Sequence, residues 1–311
     1  MNRLCIFAHY DKHNIIDEYV VEYIKGLATV SKQIIFVSSC EISYAEVDKV
    51  SQYCTAVLQK ANEGYDFGSW KFGMEYVGFD NLANFDEVIL ANDSCFGPIF
   101  PFSEMFDNMS TNQCDVWGGT IGGGICKHLQ SYFLVCRPKL LKSQCFVDFF
   151  KSVTVQKSKS DYIIKYEIGF SKMVIKNGYS FDAYFNKNTI KISIFKFLCV
   201  KIPLTIKHFF KPNAIGRPNL LYKFFVMLRM VFRKIVFNES TLCNPSLLEI
   251  DSCIKNRVPL IKKMLFDKKN LTNLTNFEVN LILSQNVEQL VKENSDYNFD
   301  IIQKYNDRIL K

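Results

Sequence analysis

The sequence predicts an α/β fold with a mainly parallel sheet flanked by helices, and three observations carry that prediction. Short apolar runs alternate with helix-periodic segments through the first half of the chain. The runs are continuous enough to be buried on both faces, as parallel strands are. Several of them end in polar residues, and in parallel sheets ligands bind beyond the carboxyl ends of the strands.

In chain order, Leu4 to Ala8 reads as a buried first strand. Asn14 to Leu27 follows as a helix, with Ile15, Ile16, Tyr19, Val20, Tyr23, Ile24 and Leu27 repeating at helical spacing. Ile34 to Ser38 is a second strand, Ala45 to Tyr53 a helix and Ala56 to Gln59 a third strand. A helix is expected over Gly68 to Val77 and a strand over Glu87 to Ala91. Such alternation needs crossover connections, which is why it implies parallel pairing. Ser131 to Arg137 reads as a strand, Glu167 to Asn177 as a helix stopped by Gly178, and Phe181 to Phe185 returns to the sheet. The polar strand ends are His9-Tyr10-Asp11, Ser38-Ser39 and Asn92-Asp93-Ser94, which places them at one site.

The chain of 311 residues is 48% hydrophobic and 22% charged, which excludes disordered and fibrous classes. Its net charge of +7 is uneven: no Asp or Glu occurs from Ala183 to Asn238, where Lys and Arg recur among aromatic and aliphatic residues. Three regions follow from this pattern: residues 1–186, a basic aromatic segment over 187–238, and a helical C-terminal region over 239–311. Within the segment, the four charges of Leu220 to Phe237 fall in an arc of roughly 140° on a helix, leaving a wide apolar face. That suits either an anionic membrane surface or a helix packed on the main domain with its Lys and Arg reaching outward. Eleven cysteines without a Cys-x-x-Cys pair do not make a disulfide or metal framework, and reduced thiols imply a cytoplasmic setting. The opening apolar run is too short for a signal peptide, and no segment is apolar enough for a transmembrane helix. Nothing resembles a nucleic-acid recognition module.

Three strings carry chemistry. In Asn62-Glu-Gly-Tyr-Asp-Phe-Gly-Ser-Trp70, Gly64 and Gly68 allow close approach of a ligand, and Asn62 and Asp66 can bond a base or ribose; an ordinary turn would read the same way. Val88 to Ser94 is an apolar strand delivering the Asp93 carboxylate, which could hold Mg²⁺ or Mn²⁺ against a diphosphate or merely cap a turn. Glu167, at the start of a predicted helix, could deprotonate an acceptor hydroxyl or simply complement the helix dipole. Gly118 to Gly124 lacks the Lys-Ser/Thr ending of a P-loop and is read as a loop beside the site, mobile or plainly irregular. His9 and His13 flank a loop, so they do not make a zinc pair.

In this order the strings resemble the nucleotide-diphospho-sugar transferase layout called GT-A, and more closely the rhamnan synthesis protein F family. The resemblance rests on Phe7 to Asp11, Asn62 to Lys71, Leu90 to Ser94 with Gly97-Pro98, Asp115 to Gly118, His128-Leu-Gln-Ser-Tyr-Phe133 and Tyr166 to Gly169. It extends more faintly to Asn244-Pro245 and Arg257 to Lys262. It implies transfer of a deoxyhexose, typically L-rhamnose from dTDP-rhamnose, onto a lipid-linked surface glycan (O-antigen, capsule or rhamnan), at the inner face of the cytoplasmic membrane. By that resemblance Glu167 is the base of an inverting mechanism and Asp93 the diphosphate- and metal-binding acid. His9, Tyr10, Asp11, Ser38, Asn62, Gly64, Asp66, Gly68, Trp70, Asn92, Ser94, Trp117, His128 and Gln130 are then the substrate-binding residues. A departure is that GT-A metal motifs carry two acids flanking one residue, whereas Asn92-Asp93-Ser94 carries one. A basic side chain, His128 or Arg137, could instead balance the leaving diphosphate. The rivals are a non-catalytic membrane-associated partner in a polysaccharide assembly complex, and nucleotidyl transfer, which would want a basic Gly-rich loop after the first strand.

Overall fold

Arg3–His9 (β1) is an almost unbroken apolar run, and every residue from Leu4 to His9 is buried. Alternate side chains leave opposite faces of a strand, so such a run needs cover on both sides. That requirement sets the architecture of the computed structural model, which describes residues 1–123, 126–186, 244–266 and 286–310.

From β1 the chain runs through Glu18–Ala28 (α1), Gln33–Ser38 (β2), Tyr44–Ser51 (α2), Ala56–Gln59 (β3), Tyr65–Val77 (α3) and Glu87–Asn92 (β4). The expected alternation is present, with shifted ends. The first helix begins at Glu18, not Asn14, because Asp11 holds residues 13–15 in a turn. Its carbonyl accepts from Asn14 N at 3.1 Å, and its carboxylate accepts from His13 N at 2.8 Å. An Asp side chain that bonds the backbone two residues on competes with helix in this way.

Next come Cys95–Phe96 (β5), Phe102–Met109 (α4), Val116–Gly122 (β6), His128–Leu129 (β7), Phe133–Cys136 (β8), Pro138–Leu141 (α5) and Gln144–Lys151 (α6). Lys159–Tyr162 (α7), a π-helical turn over Ile163–Glu167, Ile168–Lys176 (α8) and Phe181–Phe185 (β9) follow. Residues 118–122, expected as loop, are strand: β6 is buried along its length and pairs with β7, β8 and β9. Gly118 and Gly119 fit there because a Cβ would strike the Phe133 carbonyl at 3.0 Å or the Tyr132 hydroxyl at 2.4 Å.

The main sheet has the order β3-β2-β1-β4-β8-β6-β7, with β9 also on β6. The pairs β1–β2, β1–β4, β2–β3 and β6–β9 are parallel, while β8 lies antiparallel between β4 and β6. A mainly parallel sheet with this inserted strand is the expected GT-A-like class. On one face Leu4, Ile6, Val37, Val88 and Leu90 meet α3, α6 and α8, where Phe67, Phe146, Phe150 and Phe170 absorb much of the phenylalanine excess. On the other face Cys5, Phe7, Phe36 and Ile89 meet α1 and α4. Each fully buried aliphatic or Phe side chain contributes about 1.5–3 kcal/mol.

The second face is completed by the C-terminal region: Pro245–Leu248 (α9), Ile250–Lys255 (α10), Ile261–Lys262 (β10), Val287–Asn294 (α11) and Asp300–Leu310 (α12). Ile250, Ile254, Leu260, Ile261, Val291 and Ile302 share one core cluster with Phe7 and Tyr23. Short β10 pairs antiparallel with β5, setting Ile261 opposite Phe96 and Lys262 opposite Cys95. Among the described residues no helix is long and apolar enough to cross a membrane. The basic segment 187–238 lies outside the described residues.

Candidate active site

The parallel register brings the predicted polar strand ends together, with His9 opposite Ser38 and Ala8 opposite Asn92. Beyond them, Tyr10 N donates to Asp93 Oδ2 at 3.0 Å, fixing the Asp93 carboxylate over the end of β1. Tyr10 itself stands exposed beside it. Asn92 is buried and divides its amide: Nδ2 donates to Asp66 Oδ2 at 2.8 Å, and Oδ1 accepts from Ser94 N and Oγ at 3.1 and 2.5 Å. Burial and the charge of neighbouring Asp93 push the Asp66 carboxyl up to about 7.

Glu167 comes near the same place, its charge acting on Asp66 together with that of Asp93. It is not at a helix start. Ser158 caps the helical run nine residues earlier, accepting from Asp161 N, and Tyr162, Tyr166 and Phe170 carry its buried face onward. Glu167 instead ends the π-helical turn, a feature that recurs at functional sites. Its Oε2 accepts from Ser131 N at 2.9 Å and Ser131 Oγ at 2.5 Å, and its Oε1 lies 3.4 Å from His128 Nε2. Burial works against its ionisation, but the His128 hydrogen bond, the charge of Lys262 and both Ser131 donors outweigh it and hold the carboxyl down at about 2. Burial likewise disfavours charge on His128, yet its bonds to Glu167 and to the Cys126 carbonyl carry the imidazole above its ordinary value. With Nδ1 2.9 Å from that carbonyl and Nε2 facing a carboxylate, both ring nitrogens are donors, the arrangement of an imidazolium.

Two cations reach the site from the C-terminal region. Lys263 N donates to Ser94 O at 3.0 Å, and its Nζ donates to Tyr19 Oη at 2.6 Å and lies 3.9 Å from Asp93 Oδ1. It also sits over the rings of Tyr19 and Tyr305. Lys262 lies over the Tyr132 ring at 5.0 Å. Asp11, expected to contact substrate, is gripped by Arg308 of α12, whose Nη2 donates to its Oδ2 at 2.6 Å while Nε donates to Asp17 at 2.9 Å. Burial opposes ionisation of Asp11, but the Arg308 bonds prevail and lower its pKa; at Asp17 burial prevails and raises it.

Several predicted residues stand behind the site and do not line it. Trp70 and Trp117 are fully enclosed; the Trp70 indole N–H donates to Ala91 O at 2.9 Å, and that of Trp117 approaches Glu87 at 3.5 Å. His9 and Ser38 form a closed pair at 3.2 Å, and burial keeps His9 below its usual pKa, hence neutral. Gly64 and Gly68 serve the chain itself. Gly64 turns into α3 at φ 84°, and a Cβ on Gly68 would meet the Glu63 carbonyl at 2.3 Å. Gln130 is buried, its Oε1 accepting from Thr120 and from Ser246 of α9 at 2.5 and 3.0 Å. Asn62 is exposed on the loop before α3. Arg137 is ruled out as a diphosphate partner by position: it bonds Glu87 and the carbonyls of Met109, Asn112 and Cys114 at the opposite end of β4. Five residues of strand, about 17 Å, separate that end from Asn92. Sequence reasoning missed Ser131, Lys262, Lys263 and Arg308. Of these, only Ser131 and Lys262 fall inside strings quoted for the resemblance, and neither was singled out there.

The donor set does not fit a divalent cation. Asp93 has one oxygen on a backbone N–H and the other near an ammonium, Asp66 is tied to Asn92, and Glu167 is enclosed by His128 and Ser131. Hard cations want several free oxygens. Among the described residues no three His, Cys, Asp or Glu side chains are grouped to hold a metal.

Among curated relatives, virulence protein VirA of Vibrio anguillarum is 26% identical over 215 residues, covering 68% of this chain and 62% of its own length. Uncharacterized protein y4gN of Sinorhizobium fredii is 21% identical over 173 residues, covering 54% and 45%. The chain thus spans less than two thirds of the length of these relatives. Among solved structures, S. aureus TarS aligns over 94% of this chain and 54% of its own at TM-score 0.39 and 12% identity. A 4-diphosphocytidyl-2C-methyl-D-erythritol synthase aligns over 62% and 93% at TM-score 0.38 and 11% identity. Residues 34–206 match the model for rhamnan synthesis protein F, and with more than half of its length inside that match the chain belongs to the rhamnan synthesis protein F family.

Proposed function

We propose that the chain is a nucleotide-sugar glycosyltransferase of surface-polysaccharide synthesis, moving a deoxyhexose, L-rhamnose from dTDP-rhamnose, onto a lipid-linked glycan at the inner face of the cytoplasmic membrane. The observation that carries this reading is the pairing, at one end of a GT-A-like sheet, of a strand-end carboxylate, Asp93, with a buried carboxylate on a π-helical turn, Glu167. Family membership supports the polysaccharide setting. Rhamnose as donor, and the membrane as location, follow from the family's character and from the basic segment 187–238.

In this mechanism the acceptor hydroxyl attacks the anomeric carbon while a carboxylate takes its proton, inverting the configuration. Glu167 is the first assignment for that base: it is ionised at all working pH values, and His128 and Ser131 fix its orientation. A second assignment rests on one observation. Asp66 has its carboxyl at about 7, a better match for proton transfer at neutral pH than a group near 2. Sugar-nucleotide turnover with Asp93→Asn, Glu167→Gln and Asp66→Asn tests the reading. Full activity in all three variants would end it.

A further inference from the structure

The reading above leaves the leaving diphosphate without a counter-charge, since the donor set does not suit a divalent ion. Lys262 ends β10 opposite Cys95, and Lys263 opens the short helical turn Lys263–Leu265 with its N–H on the Ser94 carbonyl, so the two ammonium groups leave the Asp93–Cys95 turn in different directions. Lys263 points to Asp93 and Tyr19; Lys262 points to Tyr132, with its charge felt at Glu167 and His128. Lys263 places a positive charge 3.9 Å from the strand-end acid. Among the described residues its ammonium has one short partner, the Tyr19 hydroxyl, with Asp93 and Tyr305 held more loosely, so donor capacity remains. Lys262 has no carboxylate within 4.0 Å among the described residues. Arg308 is spent on Asp11 and Asp17, and His128 on Glu167.

Resting on the nucleotide-sugar reading, we propose that Lys263, assisted by Lys262, is a built-in cation that receives the diphosphate of a nucleotide sugar, in place of a divalent metal. The chemistry recognised is a pyrophosphate dianion, because two ammonium groups leaving one turn in different directions can each meet a phosphate.

The test is isothermal titration of the full chain with dTDP, UDP and GDP, each in chelator and again with Mg²⁺ or Mn²⁺, alongside dTMP, UMP and GMP. At least one diphosphate should bind in chelator, more tightly than its monophosphate. Lys263→Met should weaken that diphosphate roughly 10- to 100-fold and erase its advantage over the monophosphate, while Lys263→Arg restores most of it. A merely structural role for Lys263 would weaken both nucleotides alike, and that result overturns the proposal. Binding that appears only with metal also overturns it, in wild type alone, and leaves the donor reading standing. Binding to no nucleotide in any buffer overturns both. If Lys263→Met does not fold by circular dichroism, Lys262→Met and Lys263→Arg make the same comparison.

Discussion

His128 and Glu167 form a nearly enclosed pair, Nε2 to Oε1 3.4 Å, in which the charged imidazole is favoured because its other nitrogen faces the Cys126 carbonyl. Glu167 thereby starts any reaction as an oriented carboxylate, with Ser131 holding its second oxygen. Replacing it by Gln keeps the shape and removes the charge. Under the proposed mechanism with Glu167 as base, Glu167→Gln should lower kcat by about 10²- to 10⁴-fold, with donor affinity little changed. Steady-state kinetics together with titration of the donor nucleotide check this.

The same pair makes stability depend on pH in two windows. Glu167 has a depressed folded pKa, so its contribution is present above about 4.3, its unfolded value, and is lost as pH falls toward 2. His128 has a raised folded pKa, so its contribution is full below about 6.5 and fades as pH rises through the folded value. His128→Ala should therefore cost more at pH 6 than at pH 9. Urea unfolding at the two pH values measures the difference.

Asp66 has the opposite sign. Its raised carboxyl favours the protonated form in the folded chain, so stability falls as pH climbs from about 3.9 through 7. Asp66→Asn should be more stable than wild type at pH 8 by roughly 1–4 kcal/mol and indistinguishable from it near pH 4. If Asp66 is the base, wild-type kcat falls on an acid limb near pH 7 and Asp66→Asn loses turnover; with Glu167 as base, near 2, that residue gives no limb near pH 7 and Asp66→Asn stays active.

Arg308 links the last helix to the loop after β1. Arg308→Ala leaves Asp11 and Asp17 facing each other without a cation and should cost about 2–4 kcal/mol. Limited proteolysis should then cut residues 286–310 earlier than in wild type, with the sheet remaining protected.

Where the chain obeys short-range rules, its sequence is readable. Strands β1 to β4 and β9 announce themselves by apolar runs, and the register that gathers the ends of β1, β2 and β4 follows from parallel pairing. Glu167 was misplaced because a π-helical turn inserts an extra residue and breaks the 3.6-residue period just before it. Trp70 and Trp117, striking out of their motifs as ligand contacts, are core residues: an indole N–H satisfied by a neighbouring strand looks the same in sequence as one offered to a sugar. Lys263 and Arg308 had no local signal at all, since their partners lie 244 and 297 residues away.

That separation has a consequence for how the protein comes into being. His9 and Asp93 are made well before Lys263 and Arg308, which complete their surroundings. A nascent chain paused after β9 would carry a sheet with one oily side only part covered by α1 and α4, and a half-assembled binding cleft. Competence therefore waits for these distant partners, and fragments trimmed to the family-matched stretch, 34–206, should be poorly soluble and inert.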